Sequence, residues 1–286
     1  MISKIEVVLP GGIWADGVCM NDVFIRPING EDEAFLLESA TNMLPAQWVT
    51  ALLARCVSAL ETMDRINEDT VRSLRVGDRE ALLLHLRRLT FGDRMQCILA
   101  CPIPECKEKM DLDLNVKDLL LQPYPCKEEW HRARLNDNGQ AYEVCFRVPT
   151  GADQEIVSEL AQIDLLAASR MLLHRCIRSI ATDGKIVEEL PVALELPLSR
   201  KMAELDPQAE LVINIVCPAC KNKVSVIFDT ASYLSQEMAI HIENIYREVH
   251  MLAFYYHWSE SDILGMNQRK RGRYLELLDE TLKEWR

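Results

Sequence analysis

Two short stretches of sequence decide the fold: QCILACPIPEC (residues 96–106) and LVINIVCPAC (residues 211–220). In each, apolar residues typical of a β-strand end at a cysteine, and a second cysteine follows a turn that contains proline. Further strand-like runs follow at residues 110–114 and 224–228. Each cysteine pair is therefore predicted to lie on the turn of a β-hairpin, where both thiols can converge on one point.

The cysteines of these turns are candidate metal ligands: Cys101, Cys106, Cys217 and Cys220. Four thiolates form closed, tetrahedral structural zinc sites, which accept cysteine pairs with short spacers. The CPAC spacing is a strong signal of this kind, whereas the longer CPIPEC spacing is weaker by itself. We therefore predict one structural Zn²⁺ per chain, with plain buried thiols or a redox pair as alternatives. A redox C-x-x-C pair should open a helix, whereas the residues after Cys220 are typical of a strand.

Three matches in the same order indicate that the chain contains an internal duplication. Each half opens with a predicted hairpin, the first around Pro10-Gly11-Gly12 and the second with its turn in NDNG (residues 136–139). The spacing between matched positions is nearly constant, as expected if insertions fall in loops. The alternative is two unrelated α+β segments with similar patterning. The matches align RPINGEDE (26–33) with VPTGADQE (148–155) at Asp32 and Asp153, LLARCVSAL (52–60) with LLHRCIRSI (172–180) at Cys56 and Cys176, and Cys101 with Cys217.

The predicted fold class is α+β, with duplicated hairpin–helix–zinc-knuckle modules that share one zinc-ribbon-like site. The predicted bounds are residues 1–115 for the first repeat, 116–229 for the second and 230–286 for a helical C-terminal subdomain. In this last segment, apolar residues at helical spacing predict one long helix over about residues 231–257. Ser259, followed by Asp262, resembles a capping box and predicts a short helix, after which a last helix follows.

The composition limits the classes of function. With 49% hydrophobic residues, 27% charged residues and a net charge of −12, the chain is typical of a globular protein and poorly suited to binding nucleic acid. The N-terminal segment lacks the pattern of a signal peptide, and no apolar run is long enough to span a bilayer, so a cytoplasmic protein is predicted. No catalytic or phosphate-binding motif is present, which predicts a protein that is not an enzyme.

The remaining cysteines are expected to stay thiols in a reducing cytoplasm. Those on apolar faces are predicted to point into the core. This group comprises Cys56, Cys97, Cys145 and Cys176, while Cys19 and Cys126 have no predicted role.

A dense basic run, RKRGR (residues 269–273), lies near an aromatic group formed by Tyr255, Tyr256 and Trp258. Because an acidic helical segment follows the run, a solvated or protein-binding face is favoured over a nucleic-acid contact. An amphipathic helical tail must also dock on the body or on a partner. The predicted partner-binding residues are Trp258, Arg269, Arg271 and Arg273.

Several further motifs occur in a specific order along the chain. DREALL (78–83) leads to TFGDR (90–94) and the first cysteine pair, and the second pair leads to FDTASYLSQE (228–237), REVH (247–250), YHWSESDIL (256–264) and RGRYLELL (271–278). This order resembles the zinc-binding baseplate proteins of contractile phage tails and of extracellular contractile injection systems. More distantly, it is similar to the T-even phage baseplate-hub assembly proteins.

The resemblance implies a structural or assembly role near the hub of a baseplate, with other baseplate, hub or spike proteins as partners and no membrane contact. It implies assembly in the cytoplasm, with the assembled particle as a second location, and it carries no catalytic residues. The four cysteines match the family's two pairs, although the long first spacing departs from its pattern. A zinc-ribbon nucleic-acid-binding protein is the alternative function, followed by an oxidoreductase that uses Cys217 and Cys220.

Overall fold

The computed structural model describes residues 4–15, 18–39, 43–59, 66–124 and 128–284. Within these ranges the strands form separate antiparallel sheets, and helices occupy the connections between them and the C-terminal segment. This arrangement confirms the predicted α+β class.

The first half contains a three-stranded sheet with the order β1-β2-β3. Its hairpin is present as predicted, but Pro10-Gly11-Gly12 is not the turn. These residues lie inside the first strand, where the register shifts between Val8 and Ile13, while residues 16–17 lie outside the described ranges. The elements are β1 (Ile5–Ala15), β2 (Val18–Ile25), α1 (Gly30–Ser39), α2 (Pro45–Cys56), β3 (Val57–Ala59), α3 (Glu68–Ser73) and α4 (Val76–Phe91).

After α4, a two-stranded hairpin completes the first half, and the second half then contains a short helix and a four-stranded sheet. The predicted turn of its first hairpin is confirmed: Asn138 and Gly139 adopt φ angles of 48° and 84°, as a type I′ turn requires. The elements are β4 (Arg94–Ala100), β5 (Lys109–Asn115), α5 (Val116–Leu119), β6 (His131–Asp137), β7 (Gln140–Phe146), α6 (Gly151–Ile163), α7 (Leu165–Arg175), β8 (Ile177–Thr182), β9 (Lys185–Val187) and α8 (Val192–Leu205). The sheet order is β6-β7-β8-β9.

The same ion-pair network occurs in both halves. A buried aspartate follows the hairpin and binds two arginines, one from the end of the hairpin and one from the second helix. Asp32 binds Arg26 at 2.6 Å and Arg55 at 2.9 Å. Asp153 binds Arg147 at 2.5 Å and Arg175 at 3.2 Å. The network ties each helix pair to its hairpin.

The C-terminal segment does not form the single long helix predicted over residues 231–257. Helix α9 buries Leu234 and Met238 in the core of the first half, whereas the next helix, α10, buries Leu252 against the helices that follow it. Because the two segments pack against different cores, the chain breaks at Glu243 and Asn244. Strands β10 (Val212–Val216) and β11 (Lys223–Ile227) end the second half, and the C-terminal segment contains α9 (Thr230–Ile242), α10 (Ile245–Tyr256), α11 (Glu260–Leu264) and α12 (Gln268–Glu284).

The predicted cap of the short tail helix is confirmed. The backbone N–H of Asp262 donates a hydrogen bond to Ser259 Oγ at 3.2 Å. No helix within the described ranges is both long and apolar enough to cross a bilayer.

Candidate metal centre

The candidate metal centre lies where the tips of two hairpins meet. Strands β4 and β5 form one hairpin and strands β10 and β11 form the other. At each tip the backbone N–H of the first cysteine donates a hydrogen bond to the carbonyl of the residue before the return strand. The distances are 2.8 Å from Cys101 N to Glu108 O and 3.0 Å from Cys217 N to Asn222 O. Both cysteine pairs therefore lie on hairpin turns, as the strand patterns predict.

The two turns also share an uncommon backbone conformation. Lys107 and Lys221, each directly after the second cysteine of its pair, have φ angles of 51° and 61°. A positive φ is uncommon for a residue other than glycine. Its occurrence at the same place in both turns indicates one specific turn geometry, in which the chain reverses around the paired sulfurs.

The four sulfur atoms have the spacing of a tetrahedral metal site. Cys101 Sγ lies 3.8 Å from Cys220 Sγ, and Cys106 Sγ lies 3.7 Å from Cys217 Sγ. All four sulfurs lie within 4.8 Å of one another. A zinc ion bound tetrahedrally by sulfurs at about 2.3 Å separates them by about 3.8 Å, whereas a disulfide needs about 2.05 Å. The donor set and its spacing therefore fit one Zn²⁺ and exclude disulfides in this arrangement.

The surroundings of the cluster are apolar on the inner side. Cys101 and Cys217 are buried, and Met110 and Val224 pack against them. Cys106 and Cys220 are half-buried, and the side-chain amide of Asn222 donates a hydrogen bond to Cys220 Sγ at 3.5 Å. Such a contact orients a metal ligand from outside the first coordination sphere.

The four thiols cannot all ionise on their own. Backbone N–H groups of Cys220 and Ala219 lower the pKa of the Cys217 thiol to about 7. For Cys101 the backbone of Ile103 lowers the pKa, but burial and hydrogen bonds with the other three thiols together raise it to about 12. A divalent cation held by Cys101, Cys106, Cys217 and Cys220 would supply the positive charge that four thiolates require.

The geometry does not favour a redox pair at Cys217 and Cys220. After Cys220 the chain continues into strand β11, whereas a redox C-x-x-C pair is expected at the start of a helix. Each sulfur also has a near neighbour from the other hairpin.

The comparison with known protein families decides the identity. The model of the T4 bacteriophage base plate protein family matches residues 16–235. The chain belongs to this family. No curated protein and no solved structure matches it. Membership of this family gives the baseplate protein a structural or assembly role in a phage baseplate. The matched segment contains both cysteine pairs and ends within α9, so α10 to α12 lie outside the match.

The other cysteines in the described part of the baseplate protein lie outside the cluster. Cys56 and Cys176 are buried, as predicted, and contact the Asp32 and Arg147 side chains of the two ion-pair networks. Cys97 is only half-buried on β4, four residues before Cys101, and Cys145 is half-buried on β7. Neither side chain is fully within the core. Cys126 lies outside the described residues.

The tail residues predicted to bind a partner have different environments. Trp258 is half-buried, with its ring stacked on Tyr256 at 4.7 Å and edge-on to Tyr274 at 4.8 Å. Arg269 is exposed, and Arg273 is exposed and pairs with Glu276 at 3.0 Å. Two of the three predicted arginines of the basic run are therefore exposed.

Arg271 does not belong to that surface, so the prediction of a partner contact there is wrong. Its side chain is 1% exposed. The guanidinium binds Glu33 of α1, Glu248 of α10 at 2.8 Å and the Met266 carbonyl at 2.7 Å. Burial raises the pKa of Glu33 to about 7, although the charge of Arg271 opposes this. Arg271 thus joins the tail to the first half of the baseplate protein.

Replacing Arg271 with methionine is expected to destabilise the protein by roughly 3–5 kcal/mol, because two carboxylates then lose a buried counter-charge. Chemical denaturation measures this loss. Arg273→Met is the matched control: this arginine lies on the same helix but its ion pair is exposed, so we expect less than about 1 kcal/mol. Equal effects of the two substitutions would show that burial of the ion pair does not matter.

Proposed function

We propose that this baseplate protein is a zinc-stabilised structural or assembly component close to the hub of a contractile, phage-tail-like particle. The observation that carries the proposal is the family match across both cysteine pairs, together with sulfur spacings that fit one tetrahedral ion. Incorporation into the particle and assembly in the cytoplasm belong to the same proposal.

The role of the zinc is to join the two halves. Cys101 and Cys106 come from the first hairpin, and Cys217 and Cys220 come from the second. One ion that binds both pairs closes a long loop of chain, which removes conformational freedom from the unfolded state. A rigid joint of this kind suits a protein that must present fixed surfaces to its neighbours in an assembly.

We also propose that the two halves derive from one duplicated hairpin–helix–knuckle module. In both, the second hairpin strand pairs with the strand that follows the second helix. Both contain the Arg–Asp–Arg network and the turn with a lysine at positive φ. The proposed bounds remain residues 1–115 and 116–229, followed by the helical segment 230–286.

The exposed surface of the tail is the proposed contact with another baseplate, hub or spike protein. Trp258, Arg269 and Arg273 lie on this segment, and Phe254 is 64% exposed beside Tyr255 at 40%. Exposed aromatic and arginine side chains are typical of protein interfaces.

The test is the double substitution Arg269→Glu and Arg273→Glu. These exposed side chains contribute little to stability, so we expect a folded, zinc-loaded protein that supports at least about tenfold fewer assembled particles. Particles are counted by electron microscopy in producing cells whose only copy is the variant. Arg94→Glu, an exposed arginine on β4 with an ion pair at 3.0 Å, is the control. Wild-type particle numbers with the double variant would contradict the proposed contact, and salt-dependent retention of DNA would favour the nucleic-acid alternative.

A further inference from the structure

The sheet formed by β6 to β9 buries one face and leaves the other open. Leu135, Val144 and Phe146 point into the core of the second half. The alternate residues of the same strands point away from it, because successive side chains of a strand face opposite sides. On β6 these residues are Arg132 and Arg134, both exposed.

The open face is basic although the whole chain has a net charge of −12. Arg132, Arg134 and Arg178 are exposed, and none forms an ion pair with a carboxylate in the described part of the chain. Arg178 lies over the ring of Trp130, with its guanidinium carbon 5.2 Å from the ring centroid. One carboxylate, Glu143 on β7, shares the face and lies directly opposite Arg134 in the strand register. Three arginines against one carboxylate leave an excess of positive charge on this face of the sheet.

Two cavities join into one continuous depression along this face. They have volumes of about 920 Å³ and 620 Å³ and share Arg132, Ala133, Cys145 and Arg178 in their linings. The C-terminal turn of α8 lines the end next to β6 with Lys201, Glu204 and Leu205, and Glu128 lines the same end. Because Lys201 pairs with Glu204 at 2.7 Å, the depression combines the arginines of the sheet face with a margin of mixed charged and apolar side chains.

Strand β6 is also an edge strand. It is the first member of the order β6-β7-β8-β9, and on its outer side the described ranges contain no backbone partner for residues 131–137. An edge of this kind presents unpaired N–H and C=O groups that can bind another extended chain.

We propose that an extended acidic segment of a partner protein adds to β6 as an additional strand. Alternate residues of the added strand face the same side as Arg132 and Arg134, and directly opposite side chains of paired strands lie about 4.5–5.5 Å apart. Carboxylates at every second position therefore meet these arginines, and the intervening apolar side chains cover Ala133 and Leu205. The surface is separate from the sulfur cluster and from the tail.

The free strand edge identifies the class of partner. Arginine binds both carboxylates and phosphates, but a nucleic acid does not offer the repeated N–H and C=O groups that complete a β-ladder. The combination of an unpaired edge with arginines at alternate positions therefore matches an acidic polypeptide better than a polyphosphate.

The experiment uses the full-length protein and two fluorescent eight-residue peptides with blocked ends. One alternates valine and aspartate, and the other has four valines followed by four aspartates, so that composition and charge are equal. In fluorescence anisotropy the alternating peptide is expected to bind at least about tenfold more tightly, because only its carboxylates share one strand face. Equal affinity of the two peptides, or no binding at millimolar concentration, overturns the proposal.

A matched pair of variants locates the site. Arg134→Glu is expected to weaken binding of the alternating peptide by about tenfold or more, whereas Lys185→Glu, the same charge change at the opposite edge of the sheet, should change it less than about twofold. Equal effects of the two variants overturn the assignment to β6. Tight binding of a DNA oligonucleotide that Arg134→Glu abolishes overturns the choice of polypeptide.

Hydrogen exchange of the wild-type protein gives a test that needs no variant. Saturation with the alternating peptide is expected to slow amide exchange in residues 131–137, because an added strand covers the N–H groups of the β6 edge. Protection that falls elsewhere, with residues 131–137 unchanged, overturns the proposal.

Discussion

Replacing Cys217 with serine is expected to release the metal and to lower the thermal midpoint of the protein by about 10 °C, a loss of roughly 3 kcal/mol or more. Cys217 is fully buried at the centre of the cluster, and a serine hydroxyl is a poor ligand where a thiolate is required. The remaining thiolates then lose the cation that offsets their charge. Elemental analysis of the purified wild-type protein should give one zinc per chain, and calorimetry measures the midpoint.

Cys97→Ser provides the matched control for this experiment. Cys97 lies on the same strand as the first pair, but its sulfur is not part of the cluster. We expect full metal content and a nearly unchanged midpoint, and we expect a strong chelator to lower the wild-type midpoint to that of Cys217→Ser. A stable, metal-free wild-type protein with four reactive thiols would be incompatible with a structural zinc.

The clustering of the four cysteines was predictable because each pair depends on local sequence. Alternating apolar residues define the strands, and a proline-containing turn places two thiols at each tip. The meeting of the two tips is a long-range event. The match between Cys101 and Cys217 along the chain and the resemblance to a family with two cysteine pairs pointed to it, and the sulfur distances of 3.7 and 3.8 Å agree with it.

The environment of Arg271 could not be predicted because its partners are remote in the sequence. It lies on the same helical stripe as Leu275 and Leu278, which is a weak local signal of burial. Its carboxylate partners, Glu33 and Glu248, come from α1 and α10. The composition of a basic run therefore indicated a surface, whereas tertiary packing buried its central arginine.

Pro10-Gly11-Gly12 does not form the predicted turn, because its glycines contact a residue that is remote in the sequence. The backbone N–H groups of Gly11 and Gly12 donate hydrogen bonds to the buried Asp78 carboxylate at 2.7 and 3.2 Å. The glycines thus permit an irregularity within β1 that faces α4, where Gly12 has a φ of 84°. Proline and glycine mark an interruption of regular structure, but they do not distinguish a bulge from a turn.

The matching ion-pair networks of the two halves give the second large prediction. Asp32→Asn is expected to destabilise the protein by roughly 3–5 kcal/mol, because Arg26 loses its carboxylate in a buried environment. Asp153→Asn should act in the same direction but by roughly 1–3 kcal/mol, because water screens its partners more. The side chains of Arg147 and Arg175 are 20% and 36% exposed, against 8% for Arg26. Urea denaturation measures both losses.

The contribution of Asp32 and Asp153 to the stability of the protein is expected to decrease as the pH falls. Burial raises the pKa of Asp32 and Asp153, but hydrogen bonds and charges from Arg26 and Arg147 outweigh it and hold both values below the usual range. The two aspartates therefore stabilise the folded state fully above about pH 4, which is the pKa of aspartate in the unfolded chain. This stabilisation is lost as the pH falls through their lower pKa values in the folded protein. Each asparagine variant should lose less stability than the wild type over that acidic interval.

Asp113→Asn supplies the exposed control, because Asp113 and its partner Arg94 are 61% and 68% exposed, and we expect almost no change in stability. The pair of buried variants also tests the proposed duplication. Two copies of one module should use the same carboxylate for the same purpose, namely to hold the helix pair against the hairpin. If Asp153→Asn is neutral while Asp32→Asn is destabilising, the matching contacts do not perform the same task, and the networks no longer support a common origin of the two halves.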